Sequence, residues 1–274
     1  MQMLALHSLA VLKRAVFLFR HMQLTNSLRK TIASLDDART RRLTGLFKAE
    51  GTKCVADTIA AFTLQHLFAT AAWADAHPDI IAGAADALIR VPAKDLMRMS
   101  SLSTAPEVIA VYRMPEFDPS SPIPSHSLVL ALDGVQDPGN LGTIIRTADW
   151  YGVTDIICSA DCADPFSPKV VMATMGAISR VRVRRCDLAA ALSSYQGQVI
   201  GTALSGDNLF SAELPDAGVI VMGSEGHGMS SQVRALLTRT LRIPSYPPSR
   251  ACVESLNVGI ATAVVLSEFR RRQM

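Results

Sequence analysis

The sequence has little with which to hold a metal or a disulfide framework. Its five cysteines (Cys54, Cys158, Cys162, Cys186, Cys252) are odd in number, scattered and free of any C-x-x-C pair. Its six histidines show no H-E-x-x-H or comparable ligand spacing. These absences argue against a zinc site or a redox motif and leave the cysteines as small hydrophobes of a reducing compartment. No metal and a cytoplasmic location are therefore expected. Long uncharged apolar runs are also missing: Lys13, Arg14 and Arg20 break up residues 1–21, and no small-residue cleavage site follows them. Neither a membrane span nor a signal peptide is expected. Residues 1–21 read instead as an extension of the gene model ahead of a start at Met22, which the intact mass of the native protein would check. No segment combines low hydrophobicity with high net charge, so disorder is not indicated. The G-x-G-x-x-G, GK[ST] and G-x-S-x-G signatures are absent. Rossmann dinucleotide binding, NTP hydrolysis and a serine-nucleophile elbow are thus unsupported.

What is present is ample core material: 274 residues, 49% hydrophobic and 19% charged, with a net charge of +3. That length suits two domains. The charge says little by itself, but its distribution says more. Between Met22 and Val55 lie seven basic residues (Arg29, Lys30, Arg39, Arg41, Arg42, Lys48, Lys53) against three acidic ones (Asp36, Asp37, Glu50). A polyanion would find attraction there, although for any single residue a solvated helix face is the simpler account.

The chain divides at a joint. Residues 22–114 mix helical stretches (38–47, 53–62) with short apolar strands (67–71, 108–112), as a small α/β domain would. Residues 115–126 are rich in proline and serine and read as a linker. From 127 to 274, apolar runs alternate with helical periods: strand 128–133, helix 141–151, strand 154–158, helix near 168–177, strand 180–184, helix 187–194, strands 198–204 and 218–222, helix 229–237, strand 240–243, helix 255–271. This predicts a parallel sheet flanked by helices, with ligands beyond the carboxyl ends of its strands.

Three turns at such ends carry unusual chemistry. Asp137-Pro-Gly-Asn-Leu-Gly142 enters a helix bearing Arg146; Gly223-Ser-Glu-Gly-His-Gly228 follows an apolar strand; Ile243-Pro244 leads through a loop to Ser255-Leu-Asn257. A glycine-rich turn exposes backbone N–H groups and admits a ligand close to the main chain, so Gly223 and Gly226 would suit a flat adenine or ribose. The plainer account is that they permit tight turns; three such turns on neighbouring strands favour the ligand.

These residues resemble a known set. Asn140-Leu-Gly142 with Arg146-Thr-Ala148, then Gly223-Ser-Glu-Gly226, then Ile243-Pro244 with Ser255-Leu-Asn-Val258, are similar in order and spacing to the three motifs of the SpoU (TrmH-type) ribose 2′-O-methyltransferases of the SPOUT superfamily. The resemblance covers residues 127–272. Phe47-Lys-Ala-Glu-Gly-Thr-Lys53 is also similar to a stretch of the RNA-binding domain that often precedes that catalytic domain. The resemblance implies an α/β fold whose C-terminal part is a trefoil knot, S-adenosylmethionine as cofactor, rRNA or tRNA as substrate, and a homodimer through the catalytic domain. It further implies that Gly223, Ser224, Glu225, Gly226, Ile243, Pro244, Ser255, Leu256 and Asn257 form the cofactor site.

The implied catalytic residues are Asn140, Arg146, Glu225, Ser255 and Asn257. A guanidinium keeps its proton in proteins, so the role expected of Arg146 is to grip the phosphate beside the target ribose and stabilise the developing alkoxide. Asn140 would orient the hydroxyl or Arg146, Glu225 would hold Arg146, and Ser255 and Asn257 would complete a polar wall. Taken singly, Arg146 reads equally as an exposed helix residue and Ser255 as a helix N-cap. The sequence departs from the family at Ser245, where methionine is usual, in a longer loop 245–254, and at Met172, where relatives often carry arginine. A non-catalytic RNA-binding protein of the same fold and a base-methylating SPOUT enzyme are the competing readings.

Overall fold

The computed structural model describes residues 23–118, 121–247, 253 and 255–274; the reading of residues 1–21 as an extension lies outside them. The first unit begins with α1 (Asn26–Ala33), capped by Thr25, whose hydroxyl accepts from the Leu28 amide. Helix α2 (Ala38–Thr44) follows, capped by Asp37 and ended by Gly45 at φ 65°. Because Gly45 terminates this helix in the left-handed region, it stops short of the expected 47, and Phe47 falls in strand β1 (Leu46–Glu50). Helix α3 (Thr52–Thr58), β2 (Leu64–Ala69), α4 (Ala71–Ala76), α5 (Pro78–Ala82), β3 (Leu88–Arg90), α6 (Ala93–Met99) and β4 (Val108–Arg113) complete it. The sheet order is β1-β4-β2-β3, with β4 antiparallel to both neighbours.

Three of the seven cations of the basic stretch are structural. Lys48 is buried, donating to the Met99 carbonyl at 2.6 Å and pairing with Asp36 and Glu50. Glu50 in turn accepts from the Ser101 amide and hydroxyl and from the Ser100 hydroxyl. Arg41 is buried and Arg29 pairs with Asp95. Lys30, Arg39, Arg42 and Lys53 remain exposed with no side-chain partner among the described residues.

The second unit is a six-stranded, wholly parallel sheet: β5 (Leu128–Asp133), β6 (Asp155–Cys158), β7 (Arg182–Arg185), β8 (Val199–Asn208), β9 (Gly218–Gly223) and β10 (Arg239–Arg242), in the order β10-β8-β9-β5-β6-β7. Its helices are α7 (Pro138–Trp150), α8 (Pro168–Ala173), α9 (Leu188–Ser193), α10 (Ser231–Arg234) and α11 (Val258–Arg271). Side chains of β5 alternate between two apolar layers. Leu128, Leu130 and Leu132 join α7, α8 and α11, whereas Val129 and Ala131 join Leu188, Leu192 and Val233 of α9 and α10. A sheet covered on both faces explains why its strands are near-continuous apolar runs. Among the described residues no helix is long and apolar enough to cross a membrane.

Two helix starts differ from expectation. Helix α7 begins at Pro138 rather than 141, because Asp137 caps it by accepting from the Asn140 amide and proline suits the first turn. Helix α11 begins at Val258 rather than 255, because Asn257 is its cap, accepting from the Gly259 and Ile260 amides. Ser255 is therefore not the cap.

At the far end of α11, Glu268 accepts from Arg271 and Arg272, and Arg272 also donates to the carbonyls of Leu209, Phe210 and Ala212. Hydrogen bonding to Arg271, reinforced by Arg272, holds the Glu268 carboxyl down to about 2 from an ordinary 4.5. A depressed carboxyl stabilises the fold above its unfolded value and loses that contribution as pH falls through its folded value. The stability difference between wild type and Glu268→Gln in urea unfolding should be constant above pH 5 or so and shrink between roughly pH 4 and 2; a pH-independent difference would refute it.

Candidate active site

The carboxyl ends of β5 and β9 and the start of α11 converge on one carboxylate oxygen. Oε1 of Glu225 accepts from Asn140 Nδ2 (3.1 Å), Asn257 Nδ2 (2.6 Å) and the Val258 amide (3.0 Å). Asn257 Nδ2 also donates to Asn140 Oδ1 at 2.8 Å. A carboxyl oxygen can accept several donors at once, and the side-chain amides around it both donate and accept. That accounts for the asparagine between two glycines: the Asn140 backbone closes the first turn of α7 while its side chain reaches the other two motifs.

The loop after β9 is stapled to itself and to β5. Ser224 and Gly228 exchange backbone hydrogen bonds of 3.0 and 2.9 Å, and the His227 amide donates to Ser224 Oγ. Asp133, buried at the end of β5, accepts from the Ser230 amide at 2.6 Å, and Ser230 caps α10. These ties hold Glu225 and Gly226 at the loop tip. The two glycines differ in purpose. A Cβ on Gly223 would lie 2.4 Å from the Gly228 carbonyl carbon and 2.5 Å from the Met229 nitrogen, whereas one on Gly226 would meet nothing within 4 Å. Gly223 serves loop closure and Gly226 leaves the main chain approachable.

A cleft of about 460 Å³ opens between this loop and the start of α7. Asp133, Asp137, Asp161, Asn140, Glu225 and His227 contribute to its wall, and among the described residues no lysine or arginine does. Gly134 donates its amide to Ser159 Oγ, which donates to Asp161. Beneath the floor, the Val135 amide donates to Cys162 Sγ. The hydrogen bond with Cys158, joined by Ser159 and backbone amides, draws the Cys162 thiol below its ordinary range, while the same bond and burial push Cys158 up. Cys252 lies outside the described residues.

Of the residues singled out in the sequence, Asn140, Glu225 and Asn257 are brought into direct contact, and Ser224 and Gly226 line the cleft with them. Glu225 does not hold Arg146. Its Oε1 takes the two asparagines and Val258, and Arg146 is exposed on α7 without a hydrogen bond or ion pair among the described residues. Arg146 shares a helix stripe with Thr143, which abuts Gly259, and with Trp150, which is 84% exposed. Ser255 and Leu256 are exposed, Ile243 packs on the main core, and none of the three lines the cleft. Asp133, Asp137 and Asp161 were not singled out for this site. The signal for Asp133 was a carboxylate closing an otherwise apolar strand; for Asp161 there was none.

Residues 127–267 match the model of the SpoU rRNA Methylase family. An uncharacterized tRNA/rRNA methyltransferase of Synechocystis is 35% identical over 90% of this chain and 92% of its own length. The 23S rRNA (guanosine-2′-O-)-methyltransferase RlmB of Neisseria meningitidis is 37% identical over 54% of this chain, which spans 59% of that relative. Among solved structures, one from Porphyromonas gingivalis assigned to the TrmH family of RNA methyltransferases superposes with TM-score 0.81 at 37% identity, covering 91% of this chain and 99% of its own. An AdoMet-bound rRNA methyltransferase of Sinorhizobium meliloti gives TM-score 0.81 at 28% identity, covering 92% and 98%. The chain is a methylase of the RNA-modifying α/β class, and it belongs to the SpoU rRNA methylase family.

Gly223→Ala should destabilise the protein by about 1–3 kcal/mol, because backbone must move to admit the methyl group. Gly226→Ala should change stability by less than about 0.5 kcal/mol. Urea unfolding of both variants checks the pair; equal losses would contradict the assignment of separate roles.

Proposed function

We propose that this protein transfers the methyl group of S-adenosylmethionine to a ribose 2′-hydroxyl of rRNA or tRNA. The observation that carries the reading is the joining of Asn140, Glu225 and Asn257, one from each of the three motifs, with Asn140 on the helix that bears Arg146, a cation with no side-chain partner among the described residues. The residues suit the cofactor. Gly226 leaves main chain open to a flat ring, Leu256 offers exposed apolar surface, and the cleft presents carboxylates and, among the described residues, no lysine or arginine to a positively charged sulfonium. Gly223, Ser224, Glu225 and Gly226 on one side and Ile243, Pro244, Ser255, Leu256 and Asn257 on the other would hold it.

The bound cofactor supplies an electrophilic methyl carbon. The protein's own part is to align the hydroxyl and to meet charge as it builds on oxygen. Arg146 grips the phosphate beside the target ribose with a fixed fork of donors and stabilises the oxygen. Asn140 orients the hydroxyl, and Glu225 keeps Asn140 and Asn257 aimed; Ser255 completes the wall. A non-catalytic RNA-binding role is disfavoured because all of these groups are retained, and base methylation is disfavoured by the SpoU motif set.

We further assign residues 22–114 as an RNA-binding domain, 115–126 as the joint and 127–274 as the methyltransferase domain, working in the cytoplasm. The third motif is expected to be threaded as a trefoil knot; part of its loop, 248–252 and 254, lies outside the described residues. A homodimer through the catalytic domain is supported by exposed Trp150 and Ile260 and by the apolar groove of Tyr151, Phe210, Ala263 and Val264 beside them. Arg146 lies on the same helix stripe as Trp150, which would place it near a partner subunit.

The test is transfer of labelled methyl to total RNA from a strain lacking the gene, followed by alkaline digestion. Wild type should yield label in alkali-resistant dinucleotides, since a methylated 2′-oxygen blocks cleavage at the next phosphate. Arg146→Ala should reduce it by roughly 100-fold or more. RNA binding without any transfer would sink the enzymatic reading, and alkali-labile label would favour base methylation.

A further inference from the structure

The two sheets are not joined by a tether alone. Arg41 of α2 is 2% exposed, and its guanidinium crosses to the second unit to bond Asp164 through Nε (3.0 Å) and Nη2 (2.5 Å). Its remaining terminal nitrogen is fixed at home by the carbonyls of Leu35 (2.7 Å) and Asp36 (2.9 Å). Two residues on, Phe166 inserts into an aromatic cluster of the first sheet, with ring centroids 4.8 Å from Phe47 and 6.5 Å from Phe62. On the far side of α8, a Cβ on Gly176 would lie 2.4 Å from that of Asp57 on α3, so the backbones there are at their closest approach. The joint between the units is also strapped down: Arg184 of β7 donates to the carbonyls of Ser121 and Pro122, and Ile123 is buried.

This seam connects to the reactive helix. Asp164 uses its second oxygen to accept from the Phe166 amide, which shapes the turn leading to Ser167, the cap of α8. Helix α8 then packs on α7 so tightly that a Cβ on Gly142 would lie 2.3 Å from that of Ala173. Gly142 stands one turn before Arg146. The route from Arg41 to Arg146 therefore passes only through a part-buried ion pair, a short turn and a helix contact without slack. The Porphyromonas structure superposes over 91% of this chain with TM-score 0.81, which a different placement of the two units would not allow.

We propose that Arg41 and Asp164 are positioning residues that fix the distance between the cations of the first unit and Arg146, and so select which nucleotide of a bound RNA is methylated. The inference rests on the RNA 2′-O-methyltransferase reading above. A phosphate held by exposed Lys30, Arg39, Arg42 or Lys53 has a set offset from the reacting ribose because the two sheets move as one body. The seam, rather than the length of the 115–126 joint, is the determinant.

The test compares three variants with wild type on total RNA from a strain lacking the gene, mapping 2′-O-methylated positions by resistance to alkaline cleavage and measuring kcat, KM for RNA and S-adenosylmethionine affinity. Asp164→Ala removes the acceptor across the seam. Asp164→Asn keeps an oxygen for Arg41. A flexible insert of about ten glycine and serine residues between Pro115 and Ser121 lengthens the joint and leaves the seam intact. The expected result is that Asp164→Ala raises KM for RNA about tenfold or spreads methylation over neighbouring nucleotides, while S-adenosylmethionine affinity stays within about twofold. Asp164→Asn, whose one oxygen serves Arg41 while its amide nitrogen faces the Phe166 N–H, should recover part of the loss, and the insert should leave position and kcat/KM within about threefold. An insert as damaging as Asp164→Ala would overturn the proposal, because tether length would then set the register. So would unchanged KM and position in an Asp164→Ala protein that binds S-adenosylmethionine normally. If Asp164→Ala fails to fold, the insert decides alone. No methylation of any RNA by wild type would instead reject the reading on which the inference rests.

Discussion

One oxygen atom organises the reactive end of this protein. Oε1 of Glu225 ties its own loop to two other segments far from it in sequence by accepting from both, and each of the three is aimed by a local device. Asn140 is aimed by the first turn of α7, Asn257 by its own capping of α11, and Glu225 by a loop stapled to Asp133. An acceptor shared this way penalises any displacement of one segment through the others, since each lost donor leaves the carboxylate less well satisfied. The parallel sheet brings the three turns to one edge, and Glu225 converts proximity into register.

The same economy appears at the seam between the sheets. A buried arginine is costly unless every donor is answered, and Arg41 is answered from both units at once. One apolar cluster runs without a break from Phe47 and Tyr112 of the first sheet through Phe166 to α7 and α11 of the second. The active-site helix thus inherits its rigidity from two directions, packed by α11 on one side and by α8, with the first unit behind it, on the other.

Much of the second unit was legible in its sequence because its inner strands β5, β6 and β9 are largely apolar and its strands alternate with helical periods, a pattern with few alternatives. The first unit was less so. Strand β1 carries Lys48 inward, against any simple alternation, and was read as the tail of a helix that Gly45 in fact ends. The basic stretch 29–53 looked like an anionic-ligand surface, yet Arg41 and Lys48 are answered internally, and nothing in a charge count distinguishes a buried pair from a free cation. At the site, the family resemblance named Asn140, Glu225 and Asn257 as catalytic residues, and the structure brings the three into contact. A resemblance does not say who bonds whom, so Glu225 was expected to restrain Arg146, whereas its Oε1 is taken by the asparagines and Val258. Asp161 carried no signal at all, because its place at the cleft depends on a strand-end loop whose path only the tertiary fold supplies.

The order of the second sheet bears on how the chain is made. Strand β5 is the first of its six strands to be synthesised but lies in the interior, between β6, which follows closely, and β9, which comes only after most of the unit. Until residues 218–223 have left the ribosome, one edge of a fully apolar strand has no partner, and such an edge is a template for pairing with other nascent chains. The half-made polypeptide, rather than the finished enzyme, is the species that calls for a chaperone.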